Sequence, residues 1–194
     1  MNFEDEASDS TLARLAKAGD DLAFGQLVRR HKDGLYRLLR RHIGEGDEAY
    51  EAVHEAFIAA WKALGRFDPD RSFGAWLRTI AINKARDRGR RMVVRRIIFG
   101  LRGIDNEEAL AVADGATPPD EAVIQRQLTQ RLDQAIGQLP TALKEPLLLT
   151  VFEGMSQQEA GQILGLSTKA IETRVYRARK ILAERLDADM RPGI

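Results

Sequence analysis

Residues 156–180 read SQQEAGQILGLSTKAIETRVYRARK. Ser156 followed three residues later by Glu159 is a capping box, in which the hydroxyl accepts from a first-turn backbone N–H and the glutamate reaches back to the cap. It opens a short helix carrying Ala160, Ile163 and Leu164, and Gly165 supplies the stop. Ser167 then caps a longer helix with Ile171, Val175, Ala178 and Leu182 on one buried stripe. Opposite that stripe stand Lys169, Glu172, Thr173, Tyr176, Arg177 and Lys180. Two short helices joined by the tight Gly165-Leu166-Ser167 turn, the second one basic, predict a helix-turn-helix whose second helix enters the major groove. Arg177 suits guanine, and Glu172 suits the amino group of cytosine. Arg174 projects toward the edge of the buried face, where phosphate anchoring or an internal ion pair is as open as base reading. The rival reading, a merely solvated face on a helical hairpin, leaves the coincidence of capping box, glycine turn and basic face unexplained.

Upstream, Leu128, Leu132, Ile136 and Leu139 form a helical stripe closed by Pro140, and a second apolar run from Leu143 to Phe152 ends at Gly154. Nearer the start, residues 21–43 place Phe24, Leu27, Val28, Leu35, Leu38 and Leu39 at helical spacing before Gly44 and Gly46. A second helix begins near Asp47, with Val53, Phe57, Ala60, Trp61 and Leu64 on one stripe and the acids Glu48, Glu51 and Glu55 off it. Pro69 between two aspartates reads as a turn, after which Phe73, Trp76, Leu77, Ile80 and Ala81 start a third helix that runs into an arginine block. From Met92 the pattern loses its period and ends in Ala-Thr-Pro-Pro-Asp, which reads as a linker with a short helical turn around Glu107 to Val112. No strand pattern and no repeat is visible. The expectation is an all-α chain: an acidic arm over 1–20, a helical domain over 21–92, a flexible linker over 93–123 and a helix-turn-helix domain over 124–190.

The net charge of +1 conceals blocks of one sign. Residues 44–55 carry five acids and no Lys or Arg; residues 86–102 carry Arg86, Arg88, Arg90, Arg91, Arg95, Arg96 and Arg102 against Asp87 alone. Residues 103–125 are acidic again, and the last block, from Lys169 to Arg185, is basic. This pattern suits a protein that meets nucleic acid at two places and another protein elsewhere. The chain has no cysteine, which excludes disulfides, thiolate nucleophiles and cysteine-based zinc sites. Glu4, Asp5, Glu6 and Asp9 at the start are the opposite of a signal peptide, and no apolar run approaches the ~18 residues of a membrane span. A cytoplasmic protein with no membrane insertion is expected.

Leu139-Pro140, Glu153-Gly154-Met155-Ser156, Ile163-Leu164-Gly165 and Arg174 to Arg179 together resemble the fourth region of bacterial sigma factors. The run Glu51 to Trp61, then Phe67, Phe73, Trp76-Leu77 and Ile80 to Asn83, similarly resembles the second. With only an acidic linker between them, the chain is similar to the extracytoplasmic-function (ECF) sigma factors of the sigma-70 family. The resemblance implies a specificity subunit of RNA polymerase with no catalytic site, cofactor or metal of its own and no homo-oligomer. Its partners would be core polymerase, promoter DNA and an anti-sigma factor.

The resemblance also implies residue roles. Glu48, Glu51, His54, Glu55, Phe57 and Ile58 would dock on a coiled coil of the largest polymerase subunit, with His54 and Tyr50 departing from the usual glutamine and acid. Arg78, Asn83, Lys84, Arg86, Arg88, Arg90 and Arg91 would hold the melted minus-10 strand, Asn83 reading a base. Trp76 sits on the apolar stripe, which favours packing over stacking on a base. The loop from Asp68 to Ser72 would help form a pocket for a flipped base, with Asp70, Arg71, Ser72 and Phe73 among the minus-10 contacts. Lys169, Glu172, Thr173, Arg174, Tyr176, Arg177 and Lys180 would read the minus-35 duplex, with Lys169-Ala170-Ile171 standing where Gly-Thr-Val is usual. Ile97-Ile98-Phe99 fits a partner contact and a helix extension equally.

Three other readings compete. An enzyme finds little support, since His31, His42 and His54 lie on helices without acid–base partners in sequence. A sigma mimic that only sequesters an anti-sigma protein would have no use for the basic blocks. An ordinary helix-turn-helix regulator would need a dimer seam to match two half-sites, and none is evident.

Overall fold

The computed structural model describes residues 7–98 and 121–189, with side chains for 7–90 and 127–186. These residues form eight α-helices and no strand: α1 (Asp9–Lys17), α2 (Asp21–Ile43), α3 (Gly46–Ala63), α4 (Phe73–Ile98), α5 (Glu121–Gly137), α6 (Thr141–Leu147), α7 (Gln157–Leu164) and α8 (Thr168–Asp189). The first four pack as one bundle and the last four as another. No helix among the described residues is long and apolar enough to cross a membrane.

The first bundle buries Leu27, Leu35, Leu38 and Leu39 of α2 against a row of small residues on α3, Ala49, Ala52, Ala56 and Ala60. Alanines at this spacing let the two axes approach closely while keeping the best helix propensity. Phe73, Leu77, Ala81, Ile82 and Ala85 of α4 complete the core. Phe67, from the turn after α3, meets Phe73 edge-on at 5.6 Å and lies 4.6 Å from Trp76, fixing where α4 begins. Trp76 is half-buried in this cluster, as its stripe position favours.

Residues 1–20, expected as an acidic arm, contain α1. Ser8 accepts from Thr11 N at its start, and Leu12, Ala13 and Ala16 are buried against α2. The acids drew attention from this short apolar pattern, which Gly19 ends at φ +103°. At the other end α4 runs to Ile98, six residues into the expected linker. No glycine or proline interrupts the chain between Gly89 and Gly100, so an established helix propagates. Ile97 and Ile98 thus lie on a helical backbone. Phe99, the expected turn around 107–112 and the rest of the linker to residue 120 lie outside the described residues.

In the second bundle the apolar run after Pro140 becomes α6 and then a π-turn over Leu148–Phe152. Pro146 has no N–H to give and displaces the ladder, and Thr150 Oγ1 donates to its carbonyl at 2.8 Å. The predicted capping box is present: Glu159 N donates to Ser156 Oγ at 3.2 Å, and Ser156 N donates to Glu159 Oε2 at 2.9 Å. The bonds that the exposed Glu159 carboxylate accepts from Ser156 N and, at 2.8 Å, from Ser156 Oγ hold it below its ordinary range. Gly165 adopts φ +68°, and Ala170 N donates to Ser167 Oγ at the start of α8.

Candidate nucleic-acid interface

α8 lies across α6 and α7 with Ile171, Val175, Ala178 and Leu182 buried, as the stripe predicts. Glu172, Thr173, Arg177 and Lys180 are exposed, Lys169 is paired to Glu172 at 2.8 Å in open solvent, and Tyr176 is 70% exposed. Arg174 is half-buried and makes no ion pair among the described residues. α7 holds α8 at a fixed distance because Gly161 faces the turn: a Cβ there would sit 2.6 Å from Leu166 O. Only glycine permits that approach.

α4 behaves differently. Asn83 and Arg90 are exposed and lie roughly 20° apart on the helical wheel. Arg86, roughly 60° away, turns toward the second bundle. Its Nε donates to Glu145 Oε1 at 2.8 Å and its Nη2 to Glu145 Oε2 at 2.5 Å. His42 Nε2 lies 3.1 Å from the same carboxylate, which is 4% exposed. Burial pushes the Glu145 carboxyl up, but the bonds with His42 and Arg86 outweigh it and hold the group below the usual carboxylate range. Beside it Lys144 donates to His42 O at 3.2 Å and Gly137 O at 2.6 Å; burial pulls its ammonium below the ordinary lysine range.

Two further ion pairs join the bundles. Arg78 Nε donates to Glu153 Oε2 at 2.7 Å, and Arg41 Nε to Asp133 Oδ1 at 3.0 Å, with the Arg41 guanidinium 4.5 Å from the Phe152 ring centre. The first bundle supplies cations and the second supplies anions.

On the opposite side of α4, Arg88 turns to α3. It bonds Glu48, Glu51 at 2.9 Å and Glu55 at 2.9 Å, and the Glu48 bond above all holds the guanidinium above its ordinary value. Beyond these acids runs an exposed apolar line: Tyr50 (58%), Ile58 (56%) and Trp61 (41%), with the His54 ring 4.6 Å from that of Tyr50.

A helix-turn-helix with a free basic face, tethered to a bundle presenting an asparagine and an acidic-apolar helix, sets the comparison with known proteins. Residues 27–93 match the model described as Sigma-70 region 2, and residues 129–182 that described as Sigma-70, region 4. The chain is 43% identical over 190 residues to the RNA polymerase sigma factor CnrH of Cupriavidus metallidurans, covering 97% of this chain and 98% of that one. The chain belongs to the ECF group of RNA polymerase sigma factors. It is also 33% identical to the ECF sigma factor SigW of Bacillus subtilis, over 88% of this chain and 92% of that one. The solved structure of CnrH in complex with the cytosolic domain of CnrY matches with a TM-score of 0.70 at 37% identity, covering 94% of this chain and 99% of that one.

Within this sigma factor the structure separates the expected site residues. Lys169, Glu172, Thr173, Tyr176, Arg177 and Lys180 share one open face. In region 2, Asn83 and Arg90 are exposed and Lys84 is half-buried. Arg90 pairs with Asp87, and Arg91 lies in α4 with its side chain outside the described residues. Arg78, Arg86 and Arg88 are bound to carboxylates within the chain. Phe73 is 1% exposed and Phe57 is 7% exposed, so these two are core residues here, placed there by the aromatic clusters around Phe67 and Phe24. In the loop, Asp70 pairs with Arg14, Arg71 lies 3.6 Å from Asp68, and Ser72 accepts from Ala75 N to cap α4.

Sequence reasoning gave no role between the bundles to Arg41, His42, Asp133, Lys144, Glu145 and Glu153. A signal existed, since Lys144-Glu145 interrupts an otherwise apolar run, and a charged pair inside such a run calls for buried partners.

Proposed function

We propose that this sigma factor directs core RNA polymerase to its promoters by two DNA contacts carried on one chain. α8 reads the minus-35 duplex through Glu172, Thr173, Tyr176 and Arg177, with Lys169, Arg174 and Lys180 on phosphates. The Asn83–Arg90 face of α4 holds the minus-10 strand, Asn83 reading a base and Lys84 and Arg91 assisting. α3 docks on polymerase through Glu48, Glu51, Glu55, His54 and Ile58. The observation that carries this reading is the exposed outer face of α8 behind its glycine turn, whose cations pair, among the described residues, only with acids of the same helix. Tethering the two contacts multiplies affinity once both engage. The polymerase does the chemistry, in the cytoplasm. An anti-sigma protein is the natural regulator of a factor of this group, and the related CnrH is solved in complex with another protein, the cytosolic domain of CnrY. Arg78 and Arg86 join the minus-10 contact only when the bundles part.

The test is transcription by core polymerase from a fragmented genomic library, with start sites read out. Two recurring upstream motifs, lost on Asn83→Ala and Arg177→Ala, are expected. Polymerase binding without any transcript would replace this reading with that of a decoy for anti-sigma proteins.

A further inference from the structure

We infer that Arg88 is a positioning residue for polymerase docking, holding the three carboxylates of α3 in a fixed array, and that it is not a DNA ligand. The inference rests on the reading that α3 docks on polymerase. Three observations carry it. Arg88 lies roughly 140° around α4 from Asn83, so a strand held along the Asn83–Arg90 face is out of its reach. Its side chain is 16% exposed, whereas Arg90 is 75% exposed. Each guanidinium nitrogen takes a different carboxylate: Nε with Glu48, Nη1 with Glu55 and Nη2 with Glu51.

That arrangement uses one oxygen of each carboxylate. The other oxygen of each takes no protein hydrogen bond among the described residues, and Glu51 is 69% and Glu55 40% exposed. Three acids at i, i+3 and i+7 would otherwise repel one another and sample many rotamers. A basic partner would then have to order them as it bound. With Arg88 in place they keep a surplus negative charge, Tyr50 and Ile58 stand beside them, and the ordering is done in the free protein. Lysine cannot replace this fork, because an ammonium has no planar set of donors aimed at three partners. Removing the cation also makes the patch more negative, which quickens encounter with a basic partner, but salt screens that effect.

The rates of association and dissociation therefore separate the two effects. Full-length Arg88→Ala, Arg88→Met and Arg88→Lys are compared with wild type for binding to immobilised core polymerase at low and at physiological salt. Glu51→Gln serves as the docking control. Dissociation is expected to quicken roughly tenfold for alanine and for methionine, which keeps the stem packed, and less for lysine. Association should be unchanged, or faster at low salt only. An unchanged dissociation rate, with promoter melting by saturated polymerase impaired, would overturn the inference and make Arg88 a DNA contact. Slower dissociation would overturn it in the other direction and make Arg88 a mask. If Glu51→Gln also leaves polymerase binding untouched, the docking role of α3 fails and the inference fails with it. If Glu51→Gln weakens binding and the Arg88 variants do not, only the inference fails.

Discussion

α8 and α4 both carry rows of basic side chains, and in sequence the two rows look alike. On α8 the row stays in water, because the helix packs one stripe against its own bundle and meets no acid across the fold. On α4 the row is divided among neighbours: Arg88 goes to the acids of α3, and Arg78 and Arg86 go to acids of the second bundle. A basic block announces a nucleic-acid surface only after the acids that the fold brings beside it have been counted. On the proposed reading the two contacts would differ in readiness: the outer face of α8 is exposed as it stands, whereas Arg78 and Arg86 would reach DNA only if the bundles separated.

The comparison breaks most visibly at Glu145. Glu145→Ala leaves Arg86, Lys144 and His42 around an emptied site, and should cost about 3 kcal/mol of the contact between the bundles. Chemical denaturation and the distance between dyes on α3 and α8 would report it; an unchanged distance would mean the apolar contacts suffice. Acid offers the same test without mutation. A carboxylate depressed in the folded state contributes stability that is complete above its unfolded value of ~4.3 and is lost as pH falls through the lower folded value. The Glu145 contribution to the contact should therefore be complete above about pH 5 and be lost only below about pH 4. In Glu145→Gln the acid transition should be smaller, because the pairs made by Glu153 and Asp133 remain.

The α8 side of the comparison sharpens with two substitutions. Gly161→Val forces a branched side chain onto Leu166 O and should lower region 4 stability by about 1–3 kcal/mol, seen as an earlier thermal transition. Arg177→Ala should leave melting unchanged and cost polymerase holoenzyme roughly 1–3 kcal/mol of promoter affinity, in a way that depends on the minus-35 sequence. A loss uniform across sequences would make Arg177 a phosphate contact. The smallest effect belongs to Asp70→Asn. Its pair with Arg14 is largely exposed on both sides, so stability should stay within about 0.5 kcal/mol of wild type by denaturant titration.

Every helix of the two bundles except α1, and the whole of the helix-turn-helix, was legible in the sequence, because each rests on local signals: the Ser156–Glu159 box, the glycine stops, the stripe through Ile171 and Leu182. The open face of α8 was legible for the same reason, being whatever that stripe leaves over. The fate of the α4 arginines was not. It depends on partners such as Glu145 and Glu153, which are far away in sequence, and no local pattern says which arginine each will meet. Phe57 and Phe73 were assigned to surfaces through their neighbours in the motif, yet large aromatics on an apolar stripe go to the core when aromatic partners meet them. α1 escaped notice because a nine-residue helix offers barely two turns of periodicity.

The Lys144 ammonium donates to Gly137 O at the end of α5 and to His42 O at the end of α2, so one side chain ties the final turns of two helices from different bundles. Each terminus is the negative end of a helix dipole, and the single cation serves both. In the language of hydrogen exchange, the last turns of α2 and α5 should open as one unit, although they lie far apart in sequence. A protein that draws the bundles apart therefore frays both helix ends in the same event.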